Sequence, residues 1–113
     1  MFVRIARFEG GTTAEIEAEG SRIRHDLEAA RRGEGGTEVP SQLSLLTSRV
    51  QMLVDRERGA TAVLVYCETQ EQVREVDRIM KEMSPTSDGW GERVSAELYE
   101  VYVDEVMSLA QAA

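Results

Sequence analysis

The stretch that most constrains this chain is DRERGATAVLVYCET, Asp55 to Thr69. A charged turn ending in glycine leads into a strand that has no polar face. In an extended chain Ala60, Ala62, Leu64 and Tyr66 point one way, and Thr61, Val63, Val65 and Cys67 point the other. Both sides must be taken out of water, yet the chain has only 113 residues. That length supports one domain around one core.

The rest of the chain supplies the other elements. Phe2 to Phe8 predicts a strand with Val3 and Ile5 on one face and Phe2, Ala6 and Phe8 on the other. Arg4 falls among the second set, where a cation requires a partner or solvent. Gly10-Gly11 ends the strand, and Thr12 with Glu15 has the spacing of a capping box. A helix then runs to about Arg32, with Ile16, Gly20, Ile23, Leu27 and Ala30 along one stripe. Gly33 to Pro40 reads as loop, and Ser41 to Thr47 as either a short helix or an irregular return to the sheet. Arg49 to Asp55 predicts a second strand, joined to the opening strand by a tight Arg56-to-Gly59 turn whose glycine supplies a positive φ. Thr69 and Gln72 form a second capping box before a helix carrying Val73, Val76, Met80 and Met83, which Ser84-Pro85 stops. A last strand is expected from Arg93 to about Glu105. The domain thus covers residues 1–105, and 106–113 form a tail that adds a helical turn or frays.

The order is β-α-β-β-α-β. It predicts an α+β, ferredoxin-like fold: one antiparallel four-stranded sheet with both helices on one face. Two helices cover only one side of such a sheet, whereas two of these strands are apolar on both. A second copy packed sheet on sheet is the simplest cover, giving a homodimeric α+β barrel.

Composition narrows the partners. A formal charge of −8 repels phosphate backbones, and the basic residues form no stripe, so nucleic-acid binding is not expected. Ala30-Arg31-Arg32, the densest basic spot, suits the solvated end of a helix. No run approaches a membrane span, and the N-terminus lacks the pattern of a signal peptide, so a cytoplasmic protein is expected. With one cysteine and one histidine the chain offers no disulfide and no zinc cluster. No metal or cofactor site is expected.

The segments LVDRERGATAVLVYCETQEQVRE and MSP…GERVSAELYEVYVDE, spanning Leu53 to Glu105, resemble the antibiotic-biosynthesis-monooxygenase-like family of dimeric α/β barrels. That family's pattern is a DR-x-x-G hairpin, a W-E-[ST] step into a helix, and a last strand reading like S-V-E-x-Y-E-V. The resemblance implies the dimeric barrel. It also implies a group that includes cofactor-free monooxygenases of aromatic polyketides, haem-degrading enzymes and barrels of unassigned function. Departures fall where activity would be decided. Cys67 stands where the family has Trp, and the chain contains no asparagine, the residue that catalytic members carry on the first strand. Gln70 to Met83 contains no histidine for an axial haem ligand.

Candidate site residues are few. Arg4 could steady an anionic or enolate ligand, or pair with a carboxylate across the dimer. Tyr66, Tyr99 and Tyr102 are the phenols that could line a pocket between sheet and helices. Tyr99 and Tyr102 point to opposite sides of their strand, and core packing competes for Tyr66. Trp90, between two glycines, suits either a lid or a dimer anchor. His25 is expected at the surface or a dimer edge, and Cys67 as a small buried hydrophobe. Arg4, Tyr66, Trp90 and Tyr99 are therefore the ligand-pocket candidates, with a small apolar or aromatic ligand expected. Two functions stay open: a cofactor-independent oxygenase acting on an aromatic or enolic substrate, or a non-catalytic small-molecule-binding or accessory barrel.

Overall fold

In a computed structural model, residues 1–34, 41–83 and 91–108 are described. The elements are β1 (Phe2–Gly10), α1 (Thr13–Arg31), α2 (Ser41–Leu46), β2 (Arg49–Asp55), β3 (Ala60–Cys67), α3 (Gln70–Met83) and β4 (Gly91–Glu100). The strands form one antiparallel sheet in the order β2-β3-β1-β4. This is the ferredoxin-like arrangement, with α2 as an added turn of helix before β2.

Local signals set the boundaries. Both capping boxes form: the Thr12 hydroxyl accepts the Glu15 N–H at 3.2 Å, and the Thr69 hydroxyl accepts the Gln72 N–H at 3.1 Å. α1 ends in a Schellman turn, in which Gly33 (φ +78°) and Glu34 return N–H bonds to Ala30 and Ala29. The hairpin turn closes through Gly59 at φ +63°. A Cβ there would lie 2.6 Å from the Gly11 carbonyl oxygen, so the turn needs glycine for space as well as for conformation.

Register decides which face the helices take. Phe2, Arg4, Ala6 and Phe8 stand opposite Cys67, Val65, Val63 and Thr61. Val50, Met52 and Val54 share the same face. Against it α3 presses Val73, Val76 and Ile79, all buried, and Leu43 of α2 completes the cluster. Burying each of these side chains stabilises by roughly 1.5–3 kcal/mol. α3 therefore anchors the sheet through β1, β3 and β4, while α1 packs on α2 and touches the sheet only lightly. Its apolar stripe is correspondingly half-covered beyond Ile16.

β4 is shorter at its C-terminal end than the expected Arg93-to-Glu105 strand. Its last backbone bond runs from the Val101 N–H to the Met1 carbonyl (2.9 Å). Tyr102, Val103, Val106 and Met107 are consequently exposed, and Tyr102 has no strand to give it a side. A bulge in β4, opposite Arg7 and Phe8 of β1, leaves Val94 outside the register. The helix stop at Ser84-Pro85, most of the loop from Gly33 to Pro40, Trp90 and residues 109–113 lie outside the described residues.

Arg4 is the largest buried side chain, 1% exposed beneath α3. Its Nε donates to Asp77 Oδ1 at 2.9 Å and its Nη1 contacts the Met80 sulfur at 3.6 Å. Lys81 Nζ holds the other Asp77 oxygen at 3.0 Å. Burial alone would raise the Asp77 carboxyl, but the hydrogen bonds and charges of Arg4 and Lys81 win and hold it below its usual value of 3.8.

Removing one partner strands the other charge inside the protein. We expect Asp77→Ala to cost about 3 kcal/mol in urea unfolding, with Arg4→Met/Asp77→Leu recovering most of it. Because the folded carboxyl titrates below the unfolded one, its contribution is complete above about pH 5 and is lost as pH falls through the folded value. Asp77→Asn therefore flattens the acid limb of the stability profile. At Gly91 (φ +92°) a Cβ would overlap the Glu9 carbonyl, so Gly91→Ala is expected to lower stability by about 2 kcal/mol or more in the same assay.

Candidate functional site

The residues singled out from sequence do not meet in one place. Arg4 lies on the helix-covered face and is committed to Asp77 of its own chain, neither to open space nor to an edge of the molecule. Tyr66 and Tyr99 lie on the other face of the sheet, each opposite Val3. A space between sheet and helices shared by Arg4 and a phenol is therefore not formed. Cys67, fully buried beneath α3, is a packing residue; burial pushes its thiol up, and Glu68 adds to the effect. His25 is exposed on α1.

The uncovered face has its own order. One row across it reads Arg49, Tyr66, Val3, Tyr99, and the next reads Gln51, Leu64, Ile5, Glu97. The Tyr66 hydroxyl donates to Gln51 Oε1 at 2.9 Å, and the Arg49 guanidinium lies 5.8 Å from the ring centre, within cation–π range. The Tyr99 hydroxyl donates to Glu97 Oε2 at 2.7 Å. That bond, with the Glu97 charge, raises the phenol above its usual value and keeps it protonated. Both phenols are thus spent as donors inside their own sheet. The centre of this face, Val3, Ile5, Leu64 and Ala62, is apolar, and Leu53 beside it is half-exposed.

A concave feature lies on the helix side, where α1 stands off from β2. It is an open groove of about 600 Å³. Val50, Met52 and Val54 of β2 form its floor, and Ile16, Gly20, Ile23 and Leu27 of α1 form its wall. The Met52 sulfur reaches toward Gly20, where a side chain's Cβ would lie 3.6 Å from it. At the hairpin end Arg56 Nη1 pairs with Glu17 Oε1 at 2.6 Å and ties α1 to the turn after β2. Arg24, Glu28 and Arg31 stand along the rim.

Sequence reasoning found the α1 stripe and assigned it to the core. It missed the groove because periodicity gives the direction of a helix face and not its distance from the sheet. One usable signal was present: Arg24, Glu28 and Arg31 flank the stripe on successive turns.

No family model matches the chain, and no curated protein sequence matches it. Among solved structures it is similar to a point mutant of MhuD with two manganese protoporphyrin IX bound per active site. The two are 18% identical over 95% of this chain and 100% of that chain, with a TM-score of 0.54. At that identity the likeness establishes a common ferredoxin-like α+β fold.

Proposed function

We propose that this protein is a homodimeric small-molecule-binding barrel whose ligand lies in the groove between α1 and β2. The observation that carries the reading is the commitment of the expected chemical groups elsewhere. The cation that an oxygenase would place beside an enolate is bonded to Asp77, and the phenols of Tyr66 and Tyr99 are bonded to Gln51 on the neighbouring strand and to Glu97 two residues back on the same strand. The α1–β2 groove combines an apolar floor and wall with Glu17, Arg24, Glu28, Arg31 and Arg56 around them, a mixture that can hold and orient a small molecule. The cofactor-free oxygenase built on Arg4 and a tyrosine is the less supported reading.

Porphyrin, which MhuD binds, does not suit this groove. Among the described residues its lining contains no histidine, cysteine or tyrosine, and the chain's single histidine is on an exposed position of α1. The Met52 thioether is the one soft donor there, too weak alone to fix a haem iron.

The dimer follows from the uncovered sheet face. Half-buried Ile5, Leu64 and the ring of Tyr66 around the already buried Val3, with half-exposed Leu53 and Tyr99 beside them, make an apolar surface that a two-fold-related copy would bury. Light scattering at micromolar concentration is expected to give the mass of two chains. Leu53→Asp, at a half-exposed position, should yield monomers with unchanged far-ultraviolet circular dichroism. A wild-type mass of one chain would overturn the dimer.

For the ligand, an environment-sensitive apolar dye should bind the wild type and be excluded by Gly20→Leu, which fills the groove. Oxygen uptake with anthrone-like substrates should stay at the uncatalysed rate. Uptake by the wild type that disappears in Arg4→Met/Asp77→Leu, which keeps the shape of the core, would restore the oxygenase reading instead.

A further inference from the structure

Resting on the binding reading above, we infer that the groove takes an elongated apolar molecule ending in a carboxylate, its head at Arg24 and Arg31 and its tail toward the hairpin. Shape is the first argument. The wall from Ile16 to Leu27 spans about 16 Å of helix at 1.5 Å per residue, and β2 runs beneath it. A volume of about 600 Å³ drawn out over that length is a narrow trough, suited to an extended chain more than to a broad ring system.

Charge is the second argument. The whole chain carries −8, so an organic anion meets repulsion over most of the surface. The groove rim departs from that balance. Arg56 and Glu17 neutralise one another at 2.6 Å and close the hairpin end with a paired, uncharged stop. Arg24 and Arg31 are two turns apart on one side of α1 and make no ion pair or hydrogen bond among the described residues. Among the described residues Arg4, Arg22, Arg32, Arg56, Arg58 and Arg78 are ion-paired, whereas Arg7, Arg49, Arg74 and Arg93, like Arg24 and Arg31, are not; what distinguishes Arg24 and Arg31 is their place on the groove. Glu28, between Arg24 and Arg31, is the one acid on this part of the rim and takes up neither of them. Unpaired guanidiniums beside an apolar floor provide fork-shaped donors for a planar carboxylate. The polar stop at the far end gives the ligand a direction, because an anionic head placed there would face Glu17.

Calorimetric titration of the full chain with dodecanoate, dodecanol and dodecylammonium, each below its micelle-forming concentration, tests the inference. Dodecanoate is expected to bind at least tenfold more tightly than dodecanol, and dodecylammonium more weakly than either. Arg24→Gln/Arg31→Gln should erase the advantage of dodecanoate while leaving dodecanol unchanged, a pattern that general loss of structure would not produce. Equal affinities of dodecanoate and dodecanol, both abolished by Gly20→Leu, would overturn the carboxylate head and leave the binding groove standing. Failure of all three ligands and of the apolar dye would overturn the groove itself.

Discussion

A guanidinium is buried in the middle of β1, and the placement of α3 depends on it. Arg4 sits in a strand between Val3 and Ile5, with Val65 and Leu98 as its cross-strand neighbours, and none of these can accept a hydrogen bond from it through a side chain. An unpaired charge there would be prohibitive, so the helix above must bring a carboxylate to one defined point. Asp77 does so from the centre of α3, and Val73, Val76 and Ile79 then fall onto β1 and β3. Met80 closes over the guanidinium with its sulfur. The pair adds little net stability compared with an apolar substitute of equal shape. Its effect is positional: it ties the centre of α3 to one point on β1.

With α3 seated over the central strands, the rest of the helix layer is left to α1, which finds its packing against α2. The edge strand β2 then keeps a partly uncovered helix-side face, and Val54 remains 40% exposed although it points toward the helices. The groove is thus a consequence of how the core closes, and the Arg56–Glu17 pair closes it off at the hairpin end. Since that pair is exposed on both sides, it contributes little energy and serves mainly to set spacing.

Element order, both capping boxes, the hairpin glycine and the split of β1 into two faces were legible in the sequence, because each rests on residues within a few positions of one another. The partner of Arg4 was not, since Asp77 is 73 positions away and the sequence names many acids. Nor could alternation in β3 reveal which set would meet the helices. Leu64 and Tyr66 are as apolar as Val63 and Val65, so both faces read as core, and only the register with β1 assigns Tyr66 to the open side. In β4 the bulge removes Val94 from a simple alternation, and the strand stops where β1 begins; neither event has a local signature. The site was the least legible part, because a groove is a distance between two elements that each look ordinary alone.

The two faces of the sheet also separate two kinds of association. Addition of another strand at an edge is poorly favoured here. β4 carries Glu92, Glu97 and Glu100 together with the bulge at Val94, and such charges and irregularities blunt an edge. At the other edge, β2 carries Arg49 and Asp55 at its ends and has the hairpin and α1 beside it. The middle of the open face is apolar, half-buried Ile5 and Leu64 flanking the buried Val3, with hydrogen-bonded tyrosines at its margin. A partner of the same composition can cover that centre while Arg49, Gln51 and Glu97 remain at the periphery, where water or a facing polar group satisfies them. Association through this face would leave the α1–β2 groove on the outside of each subunit. Ligand occupancy and dimerisation would then draw on different residues, so a substitution in one site should leave the other measurable.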